Sequence, residues 1–463
     1  MPPGLALAAV SAFIAWLFAS DPKRGNTFSG ALWIPLLWLL ILGSRPVSLW
    51  FPNAQLSTDA TQDGSPFDRN VFIALVVAGV LVLAKRRLDW GIFFSRNRWL
   101  VIFFLYIGLS VLWSDYPFIA FKRWIKDVGN IVMVLIVLTE PDPKTALRSL
   151  LARCAFVLIP LSIVFIKYFP NIGRYLNPWL WTYSYGGVTL DKNMLGATLI
   201  ACSLGLFWNF CDLRQRRLGT KWQLLLMALS FWLFRYVNSS TAVACTLVGL
   251  SLIFCLRIEA VQKRANGLGL YALGILVVVS LANIFFDLGS VLVGALGRDM
   301  TLTGRTNIWE RVLQVDINPI LGVGYYSFWL GNRIDWKAEG WMGQFNEAHN
   351  GYIETYLNTG LVGLFLLVML LVTSIRRAAT DLLEGSNYNA FRFAFLIVAI
   401  IYNFTEAAFN RLSPIWFLTL LVVIQYPPIP RDLSPEQPLI EPDETREFET
   451  SQHYPQAAEV LAR

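Results

Sequence analysis

Two apolar runs, LGLYALGILVVVSLANIFFDLGSV (268–291) and YIETYLNTGLVGLFLLVMLLVTS (352–374), enclose a polar stretch at 295–350. Each run is near the ~20 residues that cross a bilayer core. The polar stretch is therefore expected as a loop on one membrane face. The same pattern recurs along the chain. Apolar runs at 3–20, 28–43, 70–84, 99–114, 117–138, 147–167, 193–212, 221–237, 240–257, 390–408 and 413–426 bring the expected total to about 12–13 transmembrane helices. The fold class is all-α: a polytopic membrane domain over 1–425, with one large loop at 295–350. The tail at 426–463, beginning YPPIPRDLSPEQP, is rich in proline and acidic residues and is expected to be disordered.

Hydrophobic residues make up 56% of the chain and charged residues 15%, against about 25% charged in soluble proteins. The net charge of +7 is spread over loops, and no basic cluster interleaved with aromatics suggests nucleic acid. Cys154, Cys202, Cys211, Cys245 and Cys255 form no Cys-x-x-Cys pair, so buried helical thiols are expected. Lys23 and Arg24 follow the first run, which predicts a retained span with its N-terminus outside. Basic clusters at 85–98, 214–221, 257–264 and 376–377 then fall on one face, the cytoplasmic one. Segments 44–69, 168–192 and 295–350 fall on the other, periplasmic in a bacterium. The tail is expected inside.

The loop holds the residues best suited to chemistry. Of the two histidines, His453 lies in the tail, which leaves His349 in the ordered part. Asn350 is a good cap for the helix that follows. A helix N-terminus disfavours imidazolium, so His349 is expected neutral and able to accept a proton. Glu347 can orient its ring or stabilise its charge. A mere helix cap fits His349 as well. Thr306 is expected to cap an earlier helix, with Ile308 and Val312 on its apolar face. Arg305 then sits where a guanidinium and free N–H groups converge on an anion. A surface arginine paired with Asp299 or Glu310 fits equally. Arg123 and Asp127 are four apart on one helix and can pair. Lys122, Arg123, Lys126 and Lys192 share the outer face, as snorkelling charges or as a cationic pocket. Glu354 and Glu406 are costly within or near spans and stay unassigned. No clustered zinc set or P-loop is present in the sequence.

TGRTNIW (303–309), the Gly322-Val323-Gly324 turn and AHNGYIETYLNTGLVGL (348–364) resemble the signature of the O-antigen ligase and O-antigen polymerase superfamily. SDYPFIAFKRWIKD (114–127) and GVTLDKNMLG (187–196) are similar to its exopolysaccharide polymerase branch. The resemblance spans about 85–425. It implies a GT-C-like membrane glycosyltransferase in the bacterial inner membrane, with its active site facing the periplasm. The donor would be an undecaprenyl-pyrophosphate-linked glycan, and the acceptor a glycan or lipid A core. On this resemblance His349 matches the general base and Arg305 a pyrophosphate contact. Lys192, Arg123, Lys126 and Glu347 complete the expected substrate-binding set. No metal or other cofactor is expected, and the reaction would be inverting. One segment departs from the family: VNSSTAVAC (237–245) has no arginine where many members carry one. A glycan transporter is the rival reading, but transporters gather polar groups at the bilayer midplane. A scaffold without turnover is a third.

Overall fold

The computed structural model describes residues 1–20, 29–51, 65–177, 182–215, 220–258, 261, 305–331, 333–334 and 345–427. Its elements are α1 (Pro3–Ser20), α2 (Trp33–Leu42), α3 (Pro66–Lys85), α4 (Trp90–Arg96), α5 (Arg98–Leu109), α6 (Pro117–Leu138), α7 (Pro143–Tyr168), β1 (Arg174–Asn177), β2 (Thr182–Tyr185), α8 (Lys192–Gln215), α9 (Lys221–Val237), α10 (Ser240–Cys255), α11 (Arg305–Leu313), α12 (Gly351–Asp381), α13 (Asn387–Tyr402) and α14 (Pro414–Val423). Helix starts follow local chemistry. Ser65, Asp89, Asp142 and Ser413 each accept a hydrogen bond from a backbone N–H of the turn they cap. Pro66, Pro143 and Pro414 occupy first turns, where a missing N–H removes no helical bond.

α8 packs against α7, α9 and α10, α13 against α10 and α14, α12 against α5, and α3 against α6. Trp208, Trp416, Phe391 and Phe395 are buried among these helices. α1 and α3 instead expose Leu5, Ile73, Val77 and Leu81. Such apolar faces suit lipid contact, where backbone groups must be satisfied within each helix. Among the described residues, α1, α3, α7, α8 and α12 are long and apolar enough to cross a membrane. The α4–α5 pair, bent by 92°, adds a sixth if counted as one span, and α2, α10, α13 and α14 are shorter apolar helices. The chain is thus an all-α polytopic membrane protein. The expected span at 268–291, the loop positions 295–304, 332 and 335–344, and the tail from 428 lie outside the described residues. The hairpin in the segment 168–192, with Leu176 opposite Tyr183, has no counterpart in the span pattern. Cys255 is exposed, unlike the other four thiols, so the expectation of buried cysteines fails there.

One irregularity positions the rest. α12 is broken at Gly360, where φ is +64° and ψ −167°. The loop 318–324 lies along the break and pairs with it. Leu361 N donates to Pro319 O at 2.9 Å, and Val362 N to Ile320 O at 3.2 Å. In return Val323 N donates to Leu357 O at 3.2 Å and Gly324 N to Asn358 O at 2.9 Å. A Cβ at Gly360 would lie 2.1 Å from the Ile320 carbonyl oxygen, and one at Gly322 2.5 Å from the Asn358 backbone. Both positions require glycine for conformation as well as for space.

Gly360→Ala should therefore destabilise the protein by about 1–3 kcal/mol from backbone strain alone, with the clash added. Thermal unfolding of detergent-solubilised protein checks this. Gly30→Ala, where a Cβ meets nothing within 4 Å, should leave the transition unchanged.

Candidate active site

The N-terminus of α12 is held by the turn that follows α13. Gly351 N donates to Asn403 O at 2.8 Å and to Glu406 O at 3.0 Å. Asn350 caps α12 as expected, its Oδ1 accepting from Tyr352 N and Ile353 N, while its Nδ2 donates to Phe404 O at 3.1 Å. Asn403 Oδ1 accepts from Ala408 N and Phe409 N, closing the turn. A Cβ on Gly351 would meet that oxygen at 2.2 Å. This docking carries Glu406 to His349. A second anchor is Trp309 Nε1, which donates to Ala348 O at 2.7 Å and ties α11 to the same segment. α11 begins at Arg305, so Thr306 lies inside the helix and does not cap it.

The result is a row of five charged or chargeable groups: Arg411, Glu347, His349, Glu406, Arg305. Arg305 pairs with Glu406, and Arg411 with Glu347. His349 Nδ1 lies between the carboxylates, 2.8 Å from Glu347 Oε1 and 3.4 Å from Glu406 Oε2. Neither oxygen meets the alignment of a hydrogen bond with Nδ1. His349 itself is in the left-handed region, at φ +48°. Sequence spacing paired Arg305 with Asp299 or Glu310; the structure pairs it with a residue about a hundred positions on. Glu354 Oε1 accepts from Trp329 Nε1 at 2.8 Å and Oε2 from Ala348 N at 3.1 Å, and Arg411 Nη2 stands 3.5 Å from Oε1.

These contacts overturn the expected neutral histidine. Burial alone would lower the imidazole pKa. The charge of Glu347 and the close contacts with Glu347 and Glu406 outweigh it and push the value up to about 9. Burial would likewise raise Glu347, yet Arg411, His349 and Arg305 bring it down to about 2. The helix N-terminus is a weaker influence than two adjoining carboxylates.

Beside this row opens a cavity of about 540 Å³. Lys122, Arg123, Lys126 and Asp127 of α6 contribute to its wall, together with Asp191, Asn193, Tyr326, Trp329, Glu347, Glu406, Asn410 and Arg411. Of the expected substrate-binding residues, Arg123, Lys126 and Glu347 therefore line it. His349, Arg305 and Lys192 are not in the wall; the first two reach it through Glu406, and Lys192 stands between lining residues Asp191 and Asn193. The expected Arg123–Asp127 pair is not what the structure shows. Arg123 Nη1 donates to Tyr326 O at 2.8 Å with its guanidinium over the Tyr326 ring. Asp127 accepts instead from Trp416 Nε1 at 2.7 Å, Tyr325 OH at 3.1 Å and Asn130 Nδ2 at 3.0 Å. Lys126 lies over the Phe72 ring. Burial first, then the charges of Glu347 and Glu406, raise Asp191 to about 6 against its backbone hydrogen bonds.

Arg411, Asp191 and Asn410 were not singled out from sequence, and Glu406 was noted only as a costly charge. Glu347, His349 and Glu406 also offer donor atoms within 4.8 Å of one another, enough to hold a metal ion. Spacing in the chain hid this set. A guanidinium already attends each carboxylate, so a divalent cation there would face two fixed positive charges.

Fold and site together define a polytopic membrane protein with a charged cavity, walled in part by the segment Tyr325–Leu330 that follows an inserted loop. The O-antigen ligase family description matches residues 223–368, which contain Arg305, His349 and the Gly360 break. The chain is also 29% identical over 295 residues to the exopolysaccharide production protein ExoQ of Rhizobium meliloti (strain 1021). That match covers 61% of this chain and 65% of the relative. Both comparisons support an O-antigen ligase/polymerase-like family for this chain.

His349 should titrate near pH 9, well above its ordinary 6.5. Its charged form then stabilises the fold fully below 6.5, and that contribution is lost as pH rises through about 9. Histidine-labelled protein carrying His453→Ala leaves a single imidazole for nuclear magnetic resonance. Glu347→Gln should move the midpoint down.

Proposed function

We propose that this chain is a metal-independent, inverting membrane glycosyltransferase of the O-antigen ligase or polymerase type. It transfers a glycan from an undecaprenyl-pyrophosphate carrier to a hydroxyl of a second glycan or of lipid A core. The reaction takes place at the periplasmic face of a bacterial inner membrane. The observation that carries this reading is His349 lodged between two arginine-held carboxylates at the edge of a cavity whose wall includes Lys122, Arg123, Lys126 and Arg411. The family match and the similarity to ExoQ support it.

In this mechanism the donor's pyrophosphate lies near Lys126 and Arg123, with Arg305 and Arg411 adding positive potential as the leaving group gains charge. The carboxylates face Nδ1 of His349, so Nε2 is the atom that takes the acceptor's proton. Two guanidiniums and two carboxylates cancel. Proton uptake then turns the row into a net cation as the diphosphate departs.

His349→Ala should insert normally and lose transfer by about 10²–10⁴-fold, measured with lipid-linked donor in proteoliposomes. Full activity would remove His349 from the chemistry. Arg305→Ala should weaken donor use. Because base catalysis needs neutral imidazole, the rate should climb from pH 7 to about 9. Transfer should survive a strong chelator; its loss, restored by a divalent salt, would assign a metal to Glu347, His349 and Glu406. Glycan moved across liposomes with no new glycosidic bond would favour the transporter instead.

A further inference from the structure

The cavity wall mixes its charges, but Asp127 beside the α6 cations is engaged by Trp416 and Tyr325, and Arg411 among the acids is engaged by Glu347. Lys122, Arg123 and Lys126 all come from one face of α6. Asp191, Glu347 and Glu406 come from three separate segments, and Asp191 feels the charges of the other two. On the wall also lies Asn410, a buried side chain whose Oδ1 has no hydrogen-bond partner among the described residues. Asn410 is held rigidly, at φ +58° with its carbonyl accepting from Tyr325 OH at 3.1 Å. That oxygen is itself shut away from solvent, so it is not the atom that Asn410 offers to a ligand in the cavity.

Asp191 is equally fixed. Its Oδ1 accepts from Asn193 N at 2.8 Å and Met194 N at 2.9 Å at the start of α8. Thr189 Oγ1 donates to its carbonyl at 2.8 Å. The carboxylate is thus oriented by backbone amides. Asp191 offers an acceptor to the cavity, and Trp329 adds an indole to the same wall. A ligand group that meets Asp191 must donate hydrogen bonds and carry no negative charge at that point. A neutral polyhydroxylated ring with an apolar face meets that description, and a uronic acid does not.

Resting on the glycosyltransferase reading, we propose that Asp191 binds the hydroxyls of an uncharged sugar next to the pyrophosphate and discriminates against carboxylated sugars. Asp191 is a specificity-determining residue in this scheme and takes no part in bond making.

The test uses full-length protein in nanodiscs and three probes: farnesyl pyrophosphate, farnesyl-pyrophosphoryl-glucose and farnesyl-pyrophosphoryl-glucuronic acid. The wild type should prefer glucose over glucuronic acid by at least about tenfold. Asp191→Asn keeps an oxygen for the helix cap and should bring that preference to within about threefold. It should do so chiefly by improving glucuronic acid binding, a gain that a merely damaged fold does not give. Equal wild-type affinity for both sugars, or an unchanged preference in Asp191→Asn, overturns the inference. Failure of sugar-free farnesyl pyrophosphate to bind at all sinks the glycosyltransferase reading beneath it.

Discussion

Backbone inside a membrane must find hydrogen-bond partners within the protein, and here that demand is met by an exchange between two pieces of chain. α12 gives up its regular bonding at Gly360, and the loop 318–324 takes the vacated partners. The consequence is positional. The loop that follows carries Tyr325 and Tyr326 to the wall of the cavity, where Asp127 and Arg123 hold them. Arg411 in turn stacks on the Tyr326 ring. An irregular loop thus gains the rigidity of a transmembrane helix.

The charged row beside the cavity follows a second constraint. A buried carboxylate without a partner is strongly unfavourable, so each is matched by a guanidinium. Once the four fixed charges cancel, the imidazole proton alone decides whether the row is neutral or positive. A group in that situation responds to any anion entering nearby. Substrate charge and proton affinity at His349 are therefore coupled by electrostatics and need no conformational change.

The fold was legible where information is local. Apolar runs gave most helices, and Asn350 announced the start of α12. The hairpin was missed because its Tyr-rich strands are too short to stand out among apolar runs. His349 and Arg305 were singled out from the loop, with Glu347 named as able to stabilise the imidazolium, but Glu406 and Arg411 were not seen as partners. Glu406 and Arg411 lie far along the chain from Arg305 and Glu347, and only the turn held by Asn403 brings them together. That distance explains the error over His349's charge, because helix-end reasoning sees one neighbour and the fold supplies two carboxylates. Arg123 and Asp127 show the reverse failing. Their spacing permitted a pair, but a carbonyl and an indole from elsewhere compete better.

The size of the cavity has a consequence for polymer growth. At about 540 Å³ it falls within the range of ordinary small-molecule pockets. If the substrate is a diphosphate-linked glycan, a cavity of that size would enclose the diphosphate and the first ring or two, and a long saccharide would trail away into solvent. If glycan transfer is the activity, the enclosed machinery inspects only the terminus of its substrate and holds no ruler. Product length would then be set by competition between extension and escape, or by a separate protein that counts.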